Sequence, residues 1–122
     1  MLNADAIQAA AHALYQAEKT RQQTRAVTLQ HPHMDMDDAY AIQRAWVDQK
    51  IADGDQISGY KIGLTSRAMQ QAMRIDTPDF GILLESMAFP NNGVINAGDF
   101  CDPRIEVEFG FVMKKPLRGE HV

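Results

Sequence analysis

Two kinds of hydrophobic spacing divide the chain, helical in its first half and alternating toward its end. From Ala4 to about Thr20, Ile7, Ala10, Ala11, Leu14 and Ala17 recur at helical intervals, with Gln8, Gln16 and Lys19 opposite. Asn3 is placed to cap this helix. Ala26-Val27-Thr28-Leu29 reads as a short extended piece, and Pro32 pushes His31 away from helical geometry. A second helix starts at Asp35, a good N-cap, with Asp37 and Asp38 adding negative charge where the macrodipole favours it. Its rows Ala39/Ile42/Trp46 and Tyr40/Val47/Ile51 predict a broad buried face, and Gly54 is its natural stop.

Beyond Gly54 the pattern changes. Ile57 to Leu64 predicts a strand, and Thr65 or Ser66 then caps a short helix through Met73, with Met69 and Met73 facing inward. Pro78-Asp79-Phe80-Gly81 reads as a turn before the apolar Ile82-Leu83-Leu84, and Asn91-Asn92-Gly93 as another. From Arg104 to Lys114 alternation is strict. Ile105, Val107, Phe109, Phe111 and Met113 predict a core face, against Arg104, Glu106, Glu108, Gly110, Val112 and Lys114. Helices first and strands later make an α+β order. A lone last strand leaves its ladder groups unpaired, so the expectation is a piece of a longer chain.

Composition narrows the function classes. With 45% hydrophobic residues over 122, the chain can bury one core. A net charge of −4, with no basic run longer than two, argues against a nucleic-acid partner. No apolar run approaches the roughly 20 residues that span a bilayer, so no membrane partner is expected. Cys101 is the single cysteine, which fits a reducing cytoplasm. His31 and His33 lack a nearby third ligand and receive no role.

Two features carry candidate chemistry. Glu106 and Glu108, at i and i+2 on one strand face, stand roughly 7 Å apart at Cα, close enough to converge on one hard cation. Pattern alone favours the blander alternative, a solvated face with Glu106 paired to Arg104 or Lys114. Lys61 stands between Gly59 and Gly63 on a strip cleared of side chains. That floor suits binding of a carboxylate or enolate, or a proton transfer. An exposed lysine guarding an edge strand explains it equally well.

Gly59-Tyr60-Lys61-Ile62-Gly63-Leu64-Thr65-Ser66, Pro78-Asp79-Phe80-Gly81 and Pro103-Arg104-Ile105-Glu106-Val107-Glu108 occur in order, with Asp38-Ala39-Tyr40-Ala41-Ile42-Gln43 upstream and Lys115-Pro116-Leu117-Arg118-Gly119 downstream. Together they resemble the hydratase/decarboxylase branch of the fumarylacetoacetate hydrolase-like superfamily. The resemblance implies an N-terminal α/β region over 1–76 and the start of a β-rich catalytic domain over 77–122. It implies a hydro-lyase adding water to an unsaturated 2-oxo acid in aromatic-compound catabolism, homoprotocatechuate degradation included. The sister decarboxylase and an inactive or structural fragment are the alternatives. It further implies Mg²⁺ or Mn²⁺ held by Glu106 and Glu108, with a third carboxylate ligand outside this chain. Lys61 and Asp79 become the catalytic pair, the substrate a small 2-oxo acid, and the partners further copies of the chain or a paralogous decarboxylase.

Overall fold

The computed structural model describes residues 1–120. Helix α1 spans Ala4–Thr20, and the Asn3 side chain accepts the Ala6 N–H at 2.8 Å. After the single-turn helix α2, Val27–Gln30, helix α3 spans Met36–Ala52. Ala26–Leu29 is therefore mostly helical rather than extended. Met34 donates back to the His31 carbonyl at 3.1 Å, so the chain turns immediately into α3.

Both ends of α3 follow from sequence. Asp35 and Asp38 each accept the other's backbone N–H, at 2.9 and 3.2 Å, which satisfies two orphan donors at once. At the far end Gly54 takes φ +101°, its N–H reaches the Ile51 carbonyl at 2.9 Å, and Asp55 N–H reaches Lys50 at 3.1 Å. That bond pair is a Schellman stop, which a left-handed glycine makes inexpensive.

The core lies between α1 and α3. Ala10, Ala11, Ile42 and Ala45 are buried together, with Leu2, Ile7, Leu14, Val27, Met34 and Trp46 packed around them. Alanines on both helices let the backbones approach closely. Ile51, expected on the buried face, is instead 41% exposed. It sits in the last turn of α3, next to the Schellman stop.

Strand β1, Ile57–Gly63, and strand β2, Asp79–Leu84, form a two-stranded antiparallel sheet. Helix α4, Arg67–Met73, connects them, capped by Ser66, whose hydroxyl accepts the Met69 N–H at 3.2 Å. Met69 and Met73 are 51% and 57% exposed, so the expected inward pair is not formed. A helix of seven residues offers too little length to bury a stripe. Asp79-Phe80-Gly81 opens β2 rather than forming a turn, because its backbone finds a partner in Lys61-Ile62-Gly63. The pairing joins residues on either side of position 76.

Residues 103–113 form no strand, and Ile105, Val107, Phe109, Phe111 and Val112 are 84–101% exposed. The expected core face therefore buries nothing. A strand exists only through its neighbours, and among the described residues this stretch has none.

Candidate functional site

Register decides which side chains share a face of the small sheet. Gly59 faces Leu83, Lys61 faces Gly81, and Gly63 faces Asp79. Alternation puts these six positions on one side and Tyr60, Ile62, Phe80 and Ile82 on the other. Lys61 and Asp79 are thus diagonal neighbours on the same side. Two glycines make room for them. A Cβ on Gly81 would lie 3.1 Å from Lys61 Cγ, and one on Gly63 would overlap the Asp79 carboxylate. The glycine that clears space beside Lys61 is the cross-strand Gly81, which spacing along one segment does not reveal; a Cβ on Gly59 or Gly63 would meet Leu83 or Asp79 instead.

Glu106 reaches this face from the extended stretch. Its carboxylate lies 3.5 Å from Lys61 Nζ, with side-chain exposures of 67% and 50%. Arg104, a partner considered for Glu106, pairs instead with Asp102 at 3.1 Å. Glu108 forms no ion pair among the described residues. Three of the four expected site residues, Lys61, Asp79 and Glu106, are therefore gathered on or over one face of the sheet, and Glu108 stands apart. Among the described residues no three His, Cys, Asp or Glu side chains are grouped to hold a metal ion.

Elsewhere charges compensate one another. An open groove of 690 Å³ is lined by Tyr15, Lys19, Lys50, Asp53 and Asp99 among others, and by none of the four expected residues. Its ions are paired, Lys50 with Glu18 at 2.6 Å, Arg21 with Asp99 at 2.9 Å and Lys19 with Asp53 at 3.4 Å. The Tyr15 hydroxyl, donating to Asp53, holds that carboxyl below the usual range; Tyr15 and Asp53 together hold the Lys19 ammonium above its own. Asp38 is buried, and the Leu2 N–H, donating at 2.7 Å, keeps its carboxyl low against the opposing effect of burial. These groups brace helices to one another.

Curated relatives cover most of this chain. It is 52% identical over 109 residues to the 2-oxo-hept-4-ene-1,7-dioate hydratase of Escherichia coli, matching 89% of this chain and 41% of that protein. It is 39% identical over 111 residues to the 2-keto-4-pentenoate hydratase of Paraburkholderia xenovorans, matching 91% and 41%. The 4-oxalocrotonate decarboxylase of Pseudomonas putida G7, complexed with calcium and acetate, superposes with a TM-score of 0.78 at 32% identity, over 81% of this chain and 38% of that one. The same enzyme complexed with magnesium and adipate gives 0.68 at 34%, over 70% and 33%. By sequence and by fold, the chain is similar to part of these hydratases and decarboxylases. It spans about two fifths of the length of the curated members it matches. No family model matches the chain.

The donor set suits a hard divalent cation in kind. Mg²⁺ prefers carboxylate oxygens, keeps several waters and binds through one or two protein carboxylates. Glu106 and Glu108 match that preference by chemical type, although among the described residues no group of three such side chains is assembled around one point. Two contacts to the sheet were not foreseen from the sequence. Tyr40 and Gln43 of α3 both bond to the Phe80 peptide, next to Asp79. The available signal is the Asp38-to-Gln43 motif, whose pattern marks a helix face but not its partner.

Proposed function

We propose that the protein acts as a divalent-metal-dependent hydratase on unsaturated 2-oxo acids such as 2-oxohept-4-ene-1,7-dioate, with residues 1–76 and 77–122 serving as the α/β region and the start of the catalytic domain. The observation that carries this reading is the approach of Glu106 to Lys61 over a face cleared by Gly63 and Gly81. The 52% identity to a hydratase of that name supports the substrate class. Glu106 and Glu108 hold Mg²⁺ or Mn²⁺. When bound, the cation supplies Lewis-acid polarisation of the substrate's 2-oxo group. Lys61 steadies negative charge developing on the substrate as its double bond moves into conjugation with the ketone. Asp79 accepts or returns the proton moved in that shift, and water adds at C4 to give a 4-hydroxy-2-oxo acid. The same reading includes a cytoplasmic setting, a homo-oligomer, association with a paralogous decarboxylase and a role in aromatic-compound breakdown.

A second reading is favoured by the TM-score of 0.78 to a decarboxylase. Product analysis separates the two, since one releases CO₂ and the other a hydrated acid. The metal role is tested by titrating Mg²⁺ into the protein and its Glu106→Gln variant. The expected loss of affinity is at least the roughly 10–100-fold seen when a residue supporting a ligand is removed. Unchanged affinity together with unchanged turnover overturns the ligand assignment.

A further inference from the structure

We propose that Tyr40 and Gln43 are positioning residues for Asp79, fixing the register of β2 so that Asp79 shares a face with Lys61. The role assigned to Asp79 rests on the hydratase reading; the register lock itself rests on geometry. In an antiparallel pair, the N–H and C=O of one residue point to the same side, and successive residues alternate between partner strand and outer edge. Phe80 donates its N–H to the Tyr40 hydroxyl oxygen at 3.4 Å and accepts from Gln43 Nε2 at 3.2 Å. Both of its peptide groups therefore point to the outer edge of β2, where α3 meets them. Tyr40 and Gln43 stand at i and i+3 on one face of that helix and offer one acceptor and one donor, as a third strand would. The Tyr40 ring also stacks on Phe80, centroids 4.6 Å apart at 14°.

Of these contacts the stack on the Phe80 ring is the one that selects a residue. A slip of β2 by one position brings Gly81 or Asp79 opposite Ile62, so the backbone hydrogen bonds to α3 can re-form but the Tyr40 ring loses its partner. It also carries Asp79 to the opposite face, away from Gly63 and Lys61. Two short strands specify register weakly by themselves. The clamp on Phe80 supplies the missing specification, from a helix anchored in the α1–α3 core through Ile42 and Ala45.

The test is a nuclear Overhauser map of the isotope-labelled chain, of Gln43→Glu, Tyr40→Phe and Tyr40→Leu, and of the double variant combining Gln43→Glu with Tyr40→Leu, which removes the stack as well as the hydrogen bonds. Gln43→Glu keeps side-chain volume and removes the donor, so a purely packing role leaves it silent. In the unaltered chain, cross-peaks are expected between the Ile62 and Phe80 Hα protons and between Asp79 Hβ and Gly63 Hα. In the double variant both are expected to vanish or be joined by a slipped set, while α1–α3 cross-peaks persist. In Tyr40→Phe, amide exchange at Phe80 should quicken about fivefold, the factor for losing one ordinary hydrogen bond. If the double variant does not fold, Tyr40→Leu alone decides, because it removes the stack that selects Phe80. Both cross-peaks at full strength in every folded variant overturn the proposal. Asp79→Asn separates it from the hydratase reading. Full turnover in that variant removes Asp79 from the reaction and leaves the lock standing; lost turnover beside an unmoved register in the double variant does the reverse.

Discussion

The α1–α3 pair and the stretch from 103 to 113 have comparable apolar content and opposite fates. The helices bury Ala10, Ala11, Ile42 and Ala45 against each other, while Ile105, Val107, Phe109, Phe111 and Val112 stay in solvent. The difference lies in the backbone. A helix satisfies its own peptide groups and needs a partner only for one face, which the other helix provides. An extended stretch satisfies neither its peptide groups nor its apolar face without neighbours on both counts. Hydrophobic pattern is therefore sufficient to organise the first region and insufficient for the second.

The largest expected effect contrasts one side chain from each region. Ile42→Ala should lower unfolding stability by about 2–5 kcal/mol, the usual cost of emptying a buried isoleucine site. Phe109→Ala removes a larger side chain that is 94% exposed, and should change stability by less than about 0.5 kcal/mol. Denaturant melts followed by circular dichroism measure both. Comparable losses would mean that the alternating stretch is packed in solution, and the comparison would fall.

The small sheet beside the first region differs from the second region in what its glycines do. A Cβ on Gly63 meets the Asp79 carboxylate, whereas Gly110 has open space around it. The carboxylate is the free end of a short side chain and can swing aside. Gly63→Ala should thus cost less than about 1 kcal/mol, partly offset by alanine's lower backbone entropy. It should nevertheless displace Asp79 from the Lys61 face, seen as loss of the Asp79–Gly63 cross-peak and of turnover. Gly110→Ala should alter neither.

Legibility in the sequence followed the same division. The caps at Asn3, Asp35 and Ser66 and the stop at Gly54 were readable because each depends on a few adjacent residues. Asp79-Phe80-Gly81 carries a local turn pattern, whereas its strand character comes from Lys61-Ile62-Gly63, some eighteen residues away. For the same reason Lys61 and its flanking glycines were visible, but Gly81 beneath it was not. The Lys61–Glu106 pair links positions 45 apart, beyond the reach of any local pattern.

A pH dependence is expected from the first region. Asp38 has its carboxyl held below the ordinary value by the Leu2 N–H, with Asp35 N–H adding to the effect. A depressed folded value means the stabilisation is present above the unfolded pKa of about 3.9, and is lost as pH falls through the lower folded value. Acid should therefore loosen the first residues of the chain from α3. In Asp38→Asn that part of the acid sensitivity should disappear. An unchanged acid profile would show that the bond from Leu2 does not control it.

The smallest effect ties the second region to the small sheet, which in turn meets α3 of the first through Phe80. Lys61 and Glu106 form a half-exposed pair at 3.5 Å, and such pairs contribute about 0.2–1 kcal/mol, less when salt screens them. A double-mutant cycle with Lys61→Met and Glu106→Gln should return a coupling in that range at low salt, and close to zero near 1 M. An isolated tether of this strength leaves the extended stretch free to leave the sheet for much of the time. Glu106 is then available to a cation rather than committed to Lys61. Titrating Mg²⁺ should reduce the measured coupling further, because a carboxylate bound to a cation has less charge to offer the ammonium. A coupling well above 1 kcal/mol that persists in high salt and in Mg²⁺ would mean the two regions are docked. The 103–113 stretch would then be an ordered part of the site rather than a segment that the site must recruit.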